Sequence, residues 1–113
     1  MADARTTTGI DDALIREIVR RVLSVASPDM IILFGSAATK AMTRDSDVDL
    51  LVVEQDPADA RRESVRIGDA LRGLGVPFDV VVIARDWFDV SKNVVGGIAY
   101  PASKYGKVIY GAA

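Results

Sequence analysis

The chain has 113 residues, a formal net charge of −2, and hydrophobic and charged fractions of 50% and 27%. This predicts one small soluble domain around one core. The absence of cysteine and histidine excludes a disulfide framework, zinc–thiolate sites and every histidine-based triad. The absence of a long basic run argues against extensive nucleic-acid binding.

In chain order, the start MADARTTTG lacks the apolar core of a secretory signal, and residues 1–8 read as a polar, frayed tail. Residues 9–26 predict a helix, because Ile10, Leu14, Ile15, Ile18, Val19, Val22 and Leu23 repeat at helical spacing. Thr8 and Asp11 suit a variant capping box at its start, and Pro28-Asp29 ends it. Met30 to Phe34 is wholly apolar and predicts a buried strand, followed by a turn at Gly35 to Ala38. Val48 to Val53 predicts a second strand. Asp56 is expected to cap a second helix, with Pro57 in its first turn and its end near Leu74, between Gly73 and Gly75. Its face of Arg61, Arg62, Arg66, Asp69 and Arg72 is expected to be solvated. Phe78 to Ala84 predicts a third strand. Asp86 suits the cap of a short helix, Ala99 to Tyr105 a last helix, and Lys107 to Tyr110 a short strand. No apolar run approaches the roughly 20 residues that span a bilayer, and a cytoplasmic protein is expected. The whole chain, 1–113, reads as a single domain of the α/β class: a small mixed β-sheet with helices packed on one side.

Ten residues separate Gly35-Ser36 from Asp47-x-Asp49, and each part adjoins an apolar run. Residues two apart in a strand share a face, so Asp47 and Asp49 place two carboxylates side by side. Such like charges are costly unless a cation joins them, and hard oxygen ligands suit magnesium or manganese. The bland alternative is a pair of strand-edge carboxylates facing water. Gly35 permits a close backbone approach and Ser36 offers an amide and a hydroxyl, groups that hold a phosphate. By itself this pair would equally make an ordinary turn. Together, metal and phosphate ligands point to nucleotide chemistry.

Gly35, Ser36, Asp47, Asp49 and a later strand acid, Asp79, resemble the hallmark of the nucleotidyltransferase superfamily with a DNA polymerase beta-like palm. Within it the chain looks like the minimal nucleotidyltransferases. The resemblance runs from about Met30 to Ala84. It implies a palm-like mixed sheet, with Asp47, Asp49 and Asp79 as a catalytic and metal-binding triad for two magnesium ions. It also implies ATP as substrate, held at Gly35 and Ser36. Family members commonly carry Arg after Gly-Ser and Gly three residues further on, where this chain has Ala37 and Lys40. Lys40 or Arg44 would substitute as a phosphate-binding charge, unless either is simply a solvated loop cation. For Asp79 the alternative is a strand-entry residue capping the turn after Pro77.

The resemblance further implies transfer of AMP to a hydroxyl, a tyrosine in particular, on a partner HEPN-domain toxin. The chain would then be the antitoxin of a toxin–antitoxin pair, as a homo-oligomer or a hetero-oligomer with that toxin. Rival readings are a binding-only antitoxin without turnover, a small-molecule nucleotidyltransferase, and an interaction module with a coincidental motif. The aromatic residues Trp87, Phe88, Tyr100, Tyr105 and Tyr110 would stack an adenine, dock a partner, or complete the core.

Overall fold

The computed structural model describes residues 12–34, 48–91 and 106–111. Over these the order is α1 (Asp12–Val25), β1 (Met30–Phe34), β2 (Val48–Glu54), α2 (Ala60–Ala70), β3 (Phe78–Ala84), α3 (Arg85–Ser91) and β4 (Lys107–Gly111). The strands form one sheet in the order β3-β2-β1-β4. β1 pairs antiparallel with both β2 and β4, whereas β2 and β3 run parallel. A parallel pair needs a crossover, and α2 supplies it.

The sheet divides the core in two because successive strand residues alternate faces. On one face Ile31, Leu33, Val48, Leu50, Val52 and Val82 pack against Ile18 and Val22 of α1 and Ile67 of α2. On the other, Met30, Ile32, Leu51 and Val53 surround Phe88 of α3. β2 is buried along both faces from Leu50 to Val53, which is why its sequence is a continuous apolar run rather than an alternation. The two longer helices lie on one side, as expected, and the short α3 covers part of the other.

Two arginines tie α1 to α2. Arg21 of α1 donates to the Ala70 carbonyl at the end of α2 at 3.4 Å and to the Arg72 carbonyl just beyond it at 2.7 Å. Arg66 of α2 donates to the Val25 carbonyl at the end of α1 at 2.6 Å, and pairs with Glu63 at 2.7 Å. Each cation therefore meets carbonyls that its partner helix leaves unsatisfied. Arg85, at the start of α3, reaches Asp29 at 3.6 Å and Asp89 at 3.3 Å, joining β3's exit to β1's entry.

Three sequence expectations move. The cap of α2 is Asp59, not Asp56: its backbone is extended and its carboxylate accepts the Arg62 N–H at 3.1 Å, three residues on. Pro57 therefore precedes the helix instead of opening it. The regular helix ends at Ala70 rather than near Leu74, because the Leu71 N–H is shared between the Ile67 and Gly68 carbonyls. Gly73 and Gly75, both at φ 90°, carry the chain away in a conformation that favours glycine. Finally, α3 begins at Arg85, which puts Asp86 inside its first turn rather than at the cap. The expectations for Thr8, Asp11, the turn at 35–38 and the helix at 99–105 fall outside the described residues. Among the described residues no helix is long and apolar enough to cross a membrane.

Candidate functional site

The register of β2 against β3 sets Asp49 directly beside Asp79. In a parallel pair, residues opposite one another project from the same face, about 4.8 Å apart in the pairing direction. That face is defined by the core. Val48 and Leu50 join the helix-side cluster, as Phe78 and Val80 do, while Leu51 and Val81 join the other. Asp49 and Asp79 thus lie opposite the α1–α2 layer, on the side to which α3 contributes Phe88. Asp49 is half-buried on the central strand, and Asp79 is exposed on the edge strand. The backbone there is anchored by the Val48 N–H, which donates to the Pro77 carbonyl at 2.9 Å.

β1 approaches the same point from the other side. Its last residue, Phe34, pairs with Asp49. β1 therefore ends beside Asp49, a proximity set by strand register. Gly35, Ser36, Lys40, Arg44 and Asp47 themselves lie outside the described residues. Of the proposed site, then, the structure brings together Asp49 and Asp79. Among the described residues no group of three metal-ligating side chains converges. Two adjacent carboxylates are nonetheless a hard, anionic donor set of the kind that suits magnesium.

A cleft of about 520 Å³, lined by residues that include Gly68, Arg72 and Phe78, opens on the helix side of the sheet, away from the acidic pair. Its charged lining residues, Asp69 and Arg72, neutralise one another as an ion pair at 3.4 Å rather than forming a pair of carboxylates.

Sequence reasoning missed a second pair of carboxylates. Glu54, at the far end of β2, has a buried Oε2 without a hydrogen-bond partner. Burial raises its pKa first. The Glu63 carboxylate raises it further, by repelling the charged form and accepting a hydrogen bond from the protonated one, against a smaller opposing effect of Arg66. A glutamate ending an apolar strand, VDLLVVE, was the available signal. Of the aromatic residues, Phe88 is core on one face of the sheet and Tyr110 packs against the core on the other, whereas Trp87 is half exposed. Tyr100 and Tyr105 lie outside the described residues.

Residues 14–99, well over half of the chain, match the family model for the nucleotidyltransferase domain. The chain belongs to this family. No curated protein matches the domain significantly. Two solved structures are similar to this nucleotidyltransferase domain. One is a mutant of the MntA-HpeT toxin-antitoxin in which two aspartates two residues apart are replaced by glutamate. It aligns with a TM-score of 0.67 and 19% identity, over 87% of this chain and 73% of that one. The other is a toxin-antitoxin with AMP-PNP, at a TM-score of 0.63 and 20% identity over the same shares. At these identities the likeness establishes the shared fold.

Proposed function

We propose that this nucleotidyltransferase domain transfers AMP from ATP to a hydroxyl, that of a tyrosine, on a partner HEPN-domain toxin, and so acts as an antitoxin. The observation that carries the reading is the register pairing of Asp49 with Asp79 on the sheet face opposite α1 and α2. The toxin-antitoxin neighbours support the partner, and the AMP-PNP in one of them supports an adenine nucleotide.

In the proposed reaction the acceptor oxygen attacks the α-phosphorus of ATP. The bond from that phosphorus to the pyrophosphate oxygen breaks, pyrophosphate leaves, and the hydroxyl proton is lost to solvent. Asp47, Asp49 and Asp79 would hold magnesium, two ions in the complete site, which when bound neutralises phosphate charge and favours the ionised acceptor. Gly35 and Ser36 would hold the triphosphate through amide and hydroxyl donors, with Lys40 or Arg44 as a neighbouring charge. Asp49 sits on the buried central strand, which fixes its position. Asp79 sits on the exposed edge, where a hydroxyl carried by another protein can reach it. Catalysis of this kind is positioning and charge neutralisation rather than covalent chemistry on the protein.

Intact-mass spectrometry of a co-expressed helical toxin tests the reading. Each AMP transferred adds about 329 Da, the mass of an adenylyl group less one hydrogen, set by the chemistry of the transfer. Asp79→Asn is expected to bind ATP and fail to add this mass. A wild-type protein that neutralises the toxin with no mass shift would refute transfer and leave a binding-only antitoxin, the outcome that Ala37 and Lys40 would then explain.

A further inference from the structure

We infer that Trp87 and Val90 of α3 form the docking surface for the protein that carries the acceptor hydroxyl; this rests on the function proposed above. α3 turns Phe88, 3% exposed, into the sheet, yet leaves Trp87 48% and Val90 76% exposed. Residues three apart on a helix are neighbours, so these two form one apolar patch. A half-exposed tryptophan beside an exposed valine is the composition of an interface anchor rather than of a solvated helix face.

The position of the patch decides what covers it. Phe88 packs in the same cluster as Leu51, and Asp49 is the next residue on that face of β2, about 6.7 Å further along the strand. The patch and the Asp49–Asp79 pair therefore serve the same side of the sheet. A protein seated on Trp87 and Val90 brings its own surface over the acidic pair, as delivery of a hydroxyl requires.

Charge narrows the occupant further. Asp86 and Asp89 are exposed beside the patch, while Arg85 is drawn back towards Asp29 and Asp89. The matching surface is an apolar pocket bordered by lysine or arginine. A nucleic acid would meet this acidic rim with its phosphates. A second copy, docked two-fold on the same patch, would bring Asp86 against its own kind.

The test uses the full chain and its co-expressed toxin, with three variants. They are Trp87→Ser combined with Val90→Ser, Asp86→Lys, and Val65→Ser as a control on α2, where Val65 is 59% exposed in the opposite layer. Toxin affinity and magnesium–ATP binding are measured by calorimetry, and AMP addition by mass. The double variant is expected to bind magnesium–ATP as the wild type does and to bind the toxin about 30-fold more weakly, as for loss of an interface anchor. Its AMP addition should recover as toxin concentration rises. Asp86→Lys should also weaken toxin binding, and Val65→Ser should leave it unchanged. Unchanged toxin affinity in the double variant, or a loss that falls on Val65→Ser instead, overturns the docking site. So does a wild-type protein that binds no toxin, and that result overturns the antitoxin reading as well. If wild-type protein binds the toxin through Trp87 and Val90 but adds no AMP, the docking site stands and the transfer reaction falls.

Discussion

Replacing Asp79 by Asn should make the metal-free protein more stable, and replacing both Asp49 and Asp79 should remove its response to magnesium. The two carboxylates are register partners on adjacent strands. Like charges about 5 Å apart repel by about 0.8 kcal/mol at the dielectric of water and by about 3 kcal/mol at an effective dielectric of 20. Because Asp79 is exposed, the lower figure applies. In a domain of this size about 1 kcal/mol moves the melting temperature by about 4 °C. In the proposed function magnesium would act in the opposite sense on the wild type. A ligand at one hundred times its dissociation constant adds about 2.7 kcal/mol, or roughly 10 °C. Thermal melts of the wild type, Asp79→Asn and the double Asn variant, each with and without magnesium and ATP, separate the two effects. The expected pattern is a higher metal-free midpoint in Asp79→Asn and no magnesium-dependent rise in the double variant. A double variant that gains the full wild-type increment would show that the metal binds elsewhere. Asp79→Asn melting at or below the wild-type temperature without metal would show that the carboxylates do not repel as their register implies.

Two further substitutions probe the frame that holds the site. Gly111 pairs with Met30 at φ 85°, and a Cβ there would overlap the Asp29 carbonyl oxygen. Gly111→Ala should therefore cost about 2 kcal/mol or more in urea unfolding, from backbone strain plus displacement of β1's entry; a loss below about 0.5 kcal/mol would refute this. Glu54, whose pKa is raised chiefly by burial and then by Glu63, holds its proton longer in the folded state than in the unfolded one. Its effect on stability is thus most favourable below the ordinary glutamate range and is lost as pH rises from there to the raised folded value. Glu54→Gln should remove that decline and be the more stable protein above the window, as read by urea midpoints across pH. Glu17 acts at lower pH with the opposite sign. Hydrogen bonds from Arg20 and then Arg21 hold its pKa at about 2, so its contribution fades as pH falls from the ordinary range towards that value, and the difference between wild type and Glu54→Gln isolates Glu54.

The strands were legible because their chemistry is local. Met30–Phe34 and Phe78–Ala84 appear with the expected bounds, since short apolar runs between turn residues have few other ways to be buried. Helix ends were less legible. Asp56 and Asp59 are equally good capping residues in composition, and the choice of Asp59 depends on where α2 must start to lay Ile67 against the sheet. The inter-helix arginine contacts were invisible, because Arg21 and Arg66 read as ordinary polar-face residues until the helices are placed side by side. At the site, the Asp-x-Asp spacing suggested adjacency within one strand. The grouping of Asp49 with Asp79, thirty residues away in sequence, came from the family resemblance, because the parallel register that pairs them is encoded by no local pattern.

That register also accounts for how a small sheet can serve both stability and access. β2 lies between β1 and β3, and its residues from Leu50 to Val53 are fully buried, so a one-residue shift along the strand would turn Asp49 into the helix-side core, where an unpaired carboxylate is costly. Asp49 is continuous with that run and inherits its fixed position. β3 has no strand on its outer side among the described residues, and such an edge is a liability unless charge or covering structure guards it. Asp79 places a charge near the start of the edge, while Arg85 turns the chain into α3 at its end. The carboxylate that the proposed chemistry asks to meet an acceptor is therefore also one that discourages unwanted strand pairing. The same exposure that would open Asp79 to a partner leaves it weakly fixed by packing, so in the proposed transfer its placement would come from what binds over it: the nucleotide with its metal on one side, and a protein docked on Trp87 and Val90 on the other.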